Sequence, residues 1–205
     1  MSNIVDNPTS YFRQLTPERS GQLRAMEQEA LDEEIRIVGP LVGELLYILA
    51  RVTKAQQILE LGTATGYSAL FLGEACAETG GSVVTLELDP DMAGRARRYI
   101  ERAGLESTIT VKTGEAVDLL DHLEGPFDMV FMDIEKLDYI RVLPSCHRLL
   151  RTGGLLVADN VGFKDADEFN QAVKTSDSWR SVSIFSFLPL HSPEHDGLCL
   201  AVKIS

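Results

Sequence analysis

From residue 57 onward, short runs of apolar, β-branched residues alternate with longer stretches whose apolar positions recur at helical spacing. Strands are predicted at 57–61, 82–88, 108–113, 127–133 and 155–159, each nearly continuous in apolar residues, as expected of strands covered by helices on both faces. Two further runs, 180–188 and 198–204, close the chain. Between them the spacing predicts helices at 68–78, 90–103, 115–123, 137–150 and 165–175, with Gly-Gly pairs at 80–81 and 153–154 as turns back into strands. This βαβ alternation implies an α/β protein with a doubly wound, seven-stranded, mostly parallel sheet and helices on both faces.

Ahead of residue 57 the pattern is helical. An acid-rich stretch at 17–37 is followed by 40–52, where Leu41, Leu45, Leu46 and Leu49 share one side. Both read as N-terminal helices packed on the sheet. No Ser/Gly/Pro-rich linker and no repeat of about 20–50 residues divides the chain, so 1–205 is expected to be one domain, with helices in 1–56 and a core in 57–205.

Composition narrows the function classes. Among 205 residues, 44% hydrophobic and 24% charged is the balance of a globular protein, which excludes a fibre or a largely disordered chain. A net charge of −12 repels polyanions and makes nucleic-acid binding a minority reading. Cys76, Cys146 and Cys199 are scattered, without a Cys-x-x-Cys pair, and read as core thiols in a reducing cytosol. Asp6, Pro8 and Arg13 stand where a signal peptide would need an apolar run. The most apolar stretch, 35–52, is interrupted by Arg36, Gly39, Pro40, Glu44 and Arg51, short of the roughly 18 clean residues of a membrane span. The expected location is the cytoplasm.

The segment Glu60-Leu61-Gly62-Thr63-Ala64-Thr65-Gly66-Tyr67-Ser68 falls where the first strand hands over to a helix, so Gly62 and Gly66 let backbone approach a ligand at the strand's carboxyl end. Its Gly-x-x-x-Gly spacing differs from the pyrophosphate-binding Gly-x-Gly-x-x-Gly, and no Lys-Ser or Lys-Thr follows as in a P-loop, which disfavours NAD and ATP. Glu87, at the end of the second strand, is placed to accept both hydroxyls of a ribose. Alone, the turn also fits a bare loop and Glu87 a solvated acid. Together they favour a ribose-bearing cofactor without pyrophosphate, for which S-adenosylmethionine is the obvious candidate.

Asp133 closes the fourth predicted strand and Asp159-Asn160 the fifth, at the same sheet edge as the glycine turn. Two carboxylates and an amide oxygen form a hard, oxygen-only set suited to Mg²⁺. A lysine beside a dication can lose its proton and act as a general base, and Lys136 follows Asp133 by three residues. The plainer alternative is that both aspartates cap helices and Lys136 is solvated. His191 and His195 have metal-ligand spacing, but Pro193 between them argues against a helical zinc site. Arg95, Arg97, Arg98 and Arg102 read as a solvated face paired with acids such as Glu101, or, more sharply, as tRNA phosphate contacts. Trp179 and the Phe185/Phe187 alternation read as core or subunit contacts.

The segments ELGTATGYSAL (60–70), FDMVFMDIEKLDY (127–139), GGLLVADN (153–160) and DGLCLAVK (196–203) resemble the cation-dependent class I O-methyltransferases, the group that includes catechol and caffeoyl-CoA O-methyltransferases and bacterial relatives. The resemblance runs from about residue 35 to the C-terminus. It implies a Rossmann-like class I methyltransferase fold, a divalent ion (Mg²⁺, or Mn²⁺ or Ca²⁺) on Asp133, Asp159 and Asn160, and Lys136 as the base. It places Val38, Gly62, Ser68 and Asp133 along the methionine part of S-adenosylmethionine, Glu87 on the ribose, and Gly114, Glu115 and Ala116 at the adenine. Glu60, Thr63, Tyr67 and Leu88 complete the expected cofactor site.

The implied reaction is chelation of two vicinal acceptor oxygens by the ion, proton removal by Lys136, and in-line attack of the oxyanion on the sulfonium methyl. Orientation of that kind contributes on the order of 7–11 kcal/mol in well-aligned cases. The acceptor implied is a small catechol-like molecule, and a homodimer is expected from the same resemblance. Two departures bear on the acceptor. Val161-Gly162-Phe163-Lys164 runs almost directly into the helix near Asp165, so a substrate-covering loop is shortened, and Arg36 stands where the family often has a methionine, which favours an anionic acceptor or reaches solvent. The other readings are methylation of a tRNA 5-hydroxyuridine at the wobble position and a catalytically silent cofactor-binding module.

Overall fold

Strands β1 (Gln57–Leu61), β2 (Ser82–Glu87), β3 (Ile109–Thr113), β4 (Phe127–Met132), β5 (Leu150–Ala158), β6 (Trp179–Phe187) and β7 (His195–Lys203) line up in the order β3-β2-β1-β4-β5-β7-β6 in a computed structural model that describes residues 4–205. The first three residues of the N-terminal segment read above lie outside the described residues. Strands β1 to β5 pair in parallel, whereas β7 runs antiparallel to both β5 and β6. The winding reverses between β1 and β4, and the crevice outside their carboxyl ends is the switch point where such sheets take ligands.

The strands are apolar throughout because both faces are covered. Ile58 joins a core with Val42, Leu46, Phe71 and Leu72, while its neighbour Leu59 faces the opposite core of Leu120, Val142 and Phe169, the period-two alternation of a strand. The first layer comes from α3 (Gly39–Thr53), α4 (Tyr67–Thr79) and α5 (Pro90–Arg102), the second from α6 (Ala116–Asp121), α7 (Tyr139–Leu149) and α8 (Asp167–Thr175). Cys76, Cys146 and Cys199 are all buried free thiols, and Trp179 is buried too. Phe185, by contrast, is exposed on β6, the sheet's edge.

Several boundaries differ from the sequence reading for local reasons. The acid-rich stretch is helical only over α2 (Gly21–Asp32), capped by Ser20, whose side chain accepts from the Leu23 amide. The chain then turns through a left-handed Glu34 and leaves 35–38 non-helical. A short helix, α1 (Pro8–Gln14), escapes periodicity because none of its residues is buried; its signal is the Asn7 side chain accepting from Ser10, with Pro8 in the first turn. The Gly153–Gly154 pair lies inside β5, in the register shift between Phe127 and Met129, not in a turn before the strand. The predicted 137–150 helix opens with a 3₁₀ turn at Lys136–Asp138 before α7.

Helix α2 is pinned across the mouth of the sheet by charge. Arg95 pairs with Glu29 and Glu33, and Tyr99 donates to Glu29 at 2.5 Å. Arg97 donates to the Val111 carbonyl and the Thr113 hydroxyl, and Arg102 sits over the Tyr99 ring. Three of the four arginines read above as a solvated or phosphate-binding face are thus committed within the fold, and the acids paired with Arg95 are Glu29 in α2 and Glu33 just past its end, not Glu101. Among the described residues no helix is long and apolar enough to cross a membrane.

Candidate active site

The turn after β1 is shaped by one close approach. A methyl group built on Gly62 would collide with the Asp133 carbonyl oxygen, and its φ of 96° lies in the left-handed region, so only glycine lets the β1 and β4 ends sit side by side. The Asp133 amide donates to the Leu61 carbonyl at 2.8 Å, tying the same two strand ends.

A cleft of about 300 Å³, within the small-ligand range, opens at this point. Val38, Gly62, Thr63, Tyr67, Ser68, Glu87, Leu88, Gly114, Glu115, Ala116, Asp133 and Lys136 all line it. Glu87 is oriented by two backbone amides: Oε2 accepts from Ala64 at 2.7 Å and Oε1 from Asp89 at 2.8 Å, and each oxygen keeps capacity for a ligand donor. Tyr67 donates to Glu27 at 2.7 Å, joining the cleft wall to α2. Burial raises the Tyr67 pKa, with the Glu27 hydrogen bond acting in the same direction.

Glu60 departs from expectation. It is fully buried and absent from the cleft wall, because on β1 it shares the Ile58 face and turns under α4. Neither of its oxygens makes a hydrogen bond, and burial pushes its pKa up to about 7 against the pull of the nearby Ser68 and Thr85 hydroxyls.

At the cleft's inner end Lys136 Nζ donates to Asp133 Oδ1 at 3.1 Å and to the Ile134 carbonyl at 3.0 Å. Asp133 is pushed up to about 6 by burial and by the neighbouring Asp159 charge, with Lys136 pulling it back. Tyr139 donates to the Met132 and Asp159 carbonyls at 3.3 and 3.0 Å, so a single phenol fixes the ends of β4 and β5.

Asp159 is fully buried and its carboxylate is already in use. His191 Nε2 lies 3.0 and 2.8 Å from its two oxygens, and Oδ1 also accepts from the Asn160 amide at 2.8 Å. The other imidazole nitrogen sits 2.6 Å from the Pro193 carbonyl. Both partners offer acceptor oxygens, a geometry that favours protons on both ring nitrogens. Burial works against that charge, but the hydrogen bond and charge of Asp159 with the Pro193 carbonyl outweigh it and raise the pKa.

Asn160 adopts a φ of 51° and donates to Asp196 at 2.7 Å, leaving its Oδ1 for another partner. The spacing of His191 and His195, already broken by Pro193, gave no sign of the His191 contact with Asp159 or of Asp196 holding Asn160. No local signal links positions this far apart. His195 instead lies against the Phe187 ring.

The chemistry of Asp133, Asp159 and Asn160 fits a hard dication, since all three offer oxygen and the repulsion between the two aspartates would be relieved by a cation. Among the described residues no three His, Cys, Asp or Glu side chains form a ready metal cluster. Both carboxylates already have partners, Asp133 in Lys136 and Asp159 in His191 and the Asn160 amide.

A second cavity, of about 760 Å³, adjoins the cleft and shares Arg36 and Ile37 with it. Ala30, Leu31, Ile35, Phe163, Leu190 and Pro193 give it apolar walls. The short 161–164 connection, which passes directly into a 3₁₀ turn at Lys164–Ala166, contributes only Phe163.

The O-methyltransferase family profile matches residues 17–177. A catechol O-methyltransferase of Niastella koreensis is 44% identical over 128 residues, covering 60% of this chain and 58% of that protein. One of Bos taurus is 32% identical over 183 residues, 85% of this chain and 66% of the relative. The chain thus matches less than two thirds of either relative's length. Among solved structures, an O-methyltransferase of Streptomyces achromogenes involved in tomaymycin synthesis, determined in complex with SAM, superimposes with a TM-score of 0.86 at 28% identity, covering 96% of both chains. Taken with the seven-stranded sheet and its cleft at the β1/β4 switch point, the profile match makes this chain a member of the O-methyltransferase family.

Proposed function

We propose that the chain transfers a methyl group from S-adenosylmethionine to one hydroxyl of a small acceptor carrying vicinal oxygens, in a reaction that needs a divalent cation. The observation that carries this reading is the Lys136–Asp133 contact at 3.1 Å on the wall of the cleft that also presents Glu87 and the Gly62 turn.

S-adenosylmethionine would supply an electrophilic methyl on a sulfonium, a good leaving group. The Gly62 turn leaves the strand end open to it, Glu87 would accept hydrogen bonds from its ribose, and Val38, Tyr67 and Ser68 would border its amino-acid end. Thr63, Leu88, Gly114, Glu115 and Ala116 close the remaining wall. A dication, Mg²⁺ in the first instance, would be held by Asp133, Asp159 and Asn160 and would acidify a hydroxyl brought against it. Lys136, after releasing its own proton to solvent, would take the hydroxyl proton, and Tyr139 holds the β4 and β5 ends at fixed separation. The second cavity offers apolar room for the acceptor body. The homodimer expected from the resemblance has a matching surface in the β6 edge, where Val182, Ile184 and Phe185 are exposed.

The test is release of S-adenosylhomocysteine from labelled cofactor with a panel of catechols, in Mg²⁺ and in EDTA. Turnover abolished by EDTA is expected. EDTA-insensitive turnover would overturn the metal assignment, and no turnover on any catechol would overturn the acceptor class.

A further inference from the structure

Among the described residues Arg36 and Ile37 line both cavities, and of the two only Arg36 carries a charge. It follows the left-handed Glu34 on the non-helical segment between α2 and α3, is exposed, and lines both the cleft and the second cavity. Among the described residues it makes no ion pair and no side-chain hydrogen bond. The other cations nearby are committed: Lys136 to Asp133, Arg19 to Glu27, and Arg13 to Glu194 through two bonds of 2.7 and 2.6 Å. The acids around the second cavity are mostly committed as well. Glu27 holds Arg19 and Tyr67, and Glu194 holds Arg13 and the Leu190 amide. Glu34 remains, and it lines only the second cavity, not the cleft.

An occupant of this space meets apolar walls along its body and one uncommitted guanidinium at the end next to the reacting groups. Arg36 offers five donors in a planar fork matched to a carboxylate, and a charge-assisted pair in a partly enclosed cavity is stronger than a neutral hydrogen bond. We infer that the methyl acceptor is an aromatic vicinal diol bearing a carboxylate, and that Arg36 is the residue that reads the carboxylate. This rests on the proposed function and names its substrate class.

The experiment compares 3,4-dihydroxybenzoate with 1,2-dihydroxybenzene on the wild-type chain, Arg36→Gln, Arg36→Lys and Glu34→Gln. It uses calorimetric titration in the presence of S-adenosylhomocysteine and Mg²⁺, and kcat/KM where turnover occurs. The wild type should bind the carboxylated compound about tenfold or more tightly than the neutral one. Arg36→Gln should bring the ratio close to one, Arg36→Lys should keep part of it, and Glu34→Gln should keep it or enlarge it.

Equal binding of both compounds by the wild type would overturn the inference. So would preference for an aminoalkyl catechol abolished by Glu34→Gln, which would make Glu34 the reader. A uniform rise in KM for S-adenosylmethionine in Arg36→Gln, whatever the acceptor, would assign Arg36 to the cofactor and overturn it too. Binding without turnover of either compound would count against the proposed function while leaving the Arg36 result readable from the titration.

Discussion

The His191 imidazole and the Asp159 carboxylate, 32 residues apart in the chain, form a buried pair in which Nε2 reaches both oxygens, at 2.8 and 3.0 Å, with each side chain only 1% exposed. One carboxylate of the candidate cation centre is therefore already paired within the chain. That pair ties the loop ahead of β7 to the end of β5.

Removing His191 strands a buried carboxylate, and breaking such a pair typically costs about 3–5 kcal/mol. Because folding raises the His191 pKa above its ordinary 6.5, the pair's contribution is fully present below that value and is lost as pH rises through the folded value. Urea unfolding of the wild type and His191→Gln across the neutral range should show the largest difference on the acid side, narrowing as the solution becomes alkaline. A difference that widens with pH would refute the assignment of the charge to His191.

Lys136→Ala should lower the methyl-transfer rate by about 10²–10⁴-fold, the usual contribution of a positioned base. S-adenosylhomocysteine affinity should fall far less, since other side chains and the Gly62 turn border the cofactor. Single-turnover rates and a binding titration on the same variant separate the two effects.

Gly62→Ala should disrupt cofactor binding and stability together. The added methyl meets the Asp133 carbonyl oxygen, and the residue would be held at a φ of 96°. Each kind of strain costs about 1–3 kcal/mol. Thermal unfolding with and without S-adenosylhomocysteine measures both losses, and an unchanged midpoint would contradict the close approach of β1 and β4.

Divalent-ion affinity should rise with pH through about 6, because Asp133, raised to that value first by burial and then by the Asp159 charge, must lose its proton before it can hold a cation. Mn²⁺ titration followed by electron paramagnetic resonance should give weaker binding at about pH 5 than at about pH 7.5. Asp133→Asn should remove most of that dependence.

Where a residue's role depends on its near neighbours, it was legible in one dimension. The 57–61 run reappears as β1 residue for residue, and Gly62, Glu87, Asp133 and Lys136 all reach the cleft because each sits at or just past the end of a parallel strand. Glu60 sits on the same strand yet is buried away from the cleft wall, because it lies on the face covered by α4 while the cleft opens only past the strand's end. Helix α1 was invisible for the opposite reason. It buries nothing, so it leaves no apolar stripe to find.

The α/β alternation, the sheet edge that carries the candidate site and the groups gathered there can be read from local spacing, because strand burial and strand-end chemistry repeat over a few residues. The pairing of Asp159 with His191, the hold of Asp196 on Asn160 and the place of Arg36 between two cavities emerge from the folded chain alone. Those relationships depend on which distant segments the sheet order brings together. Long-range proximity between charged groups leaves no periodic trace in the chain that carries them.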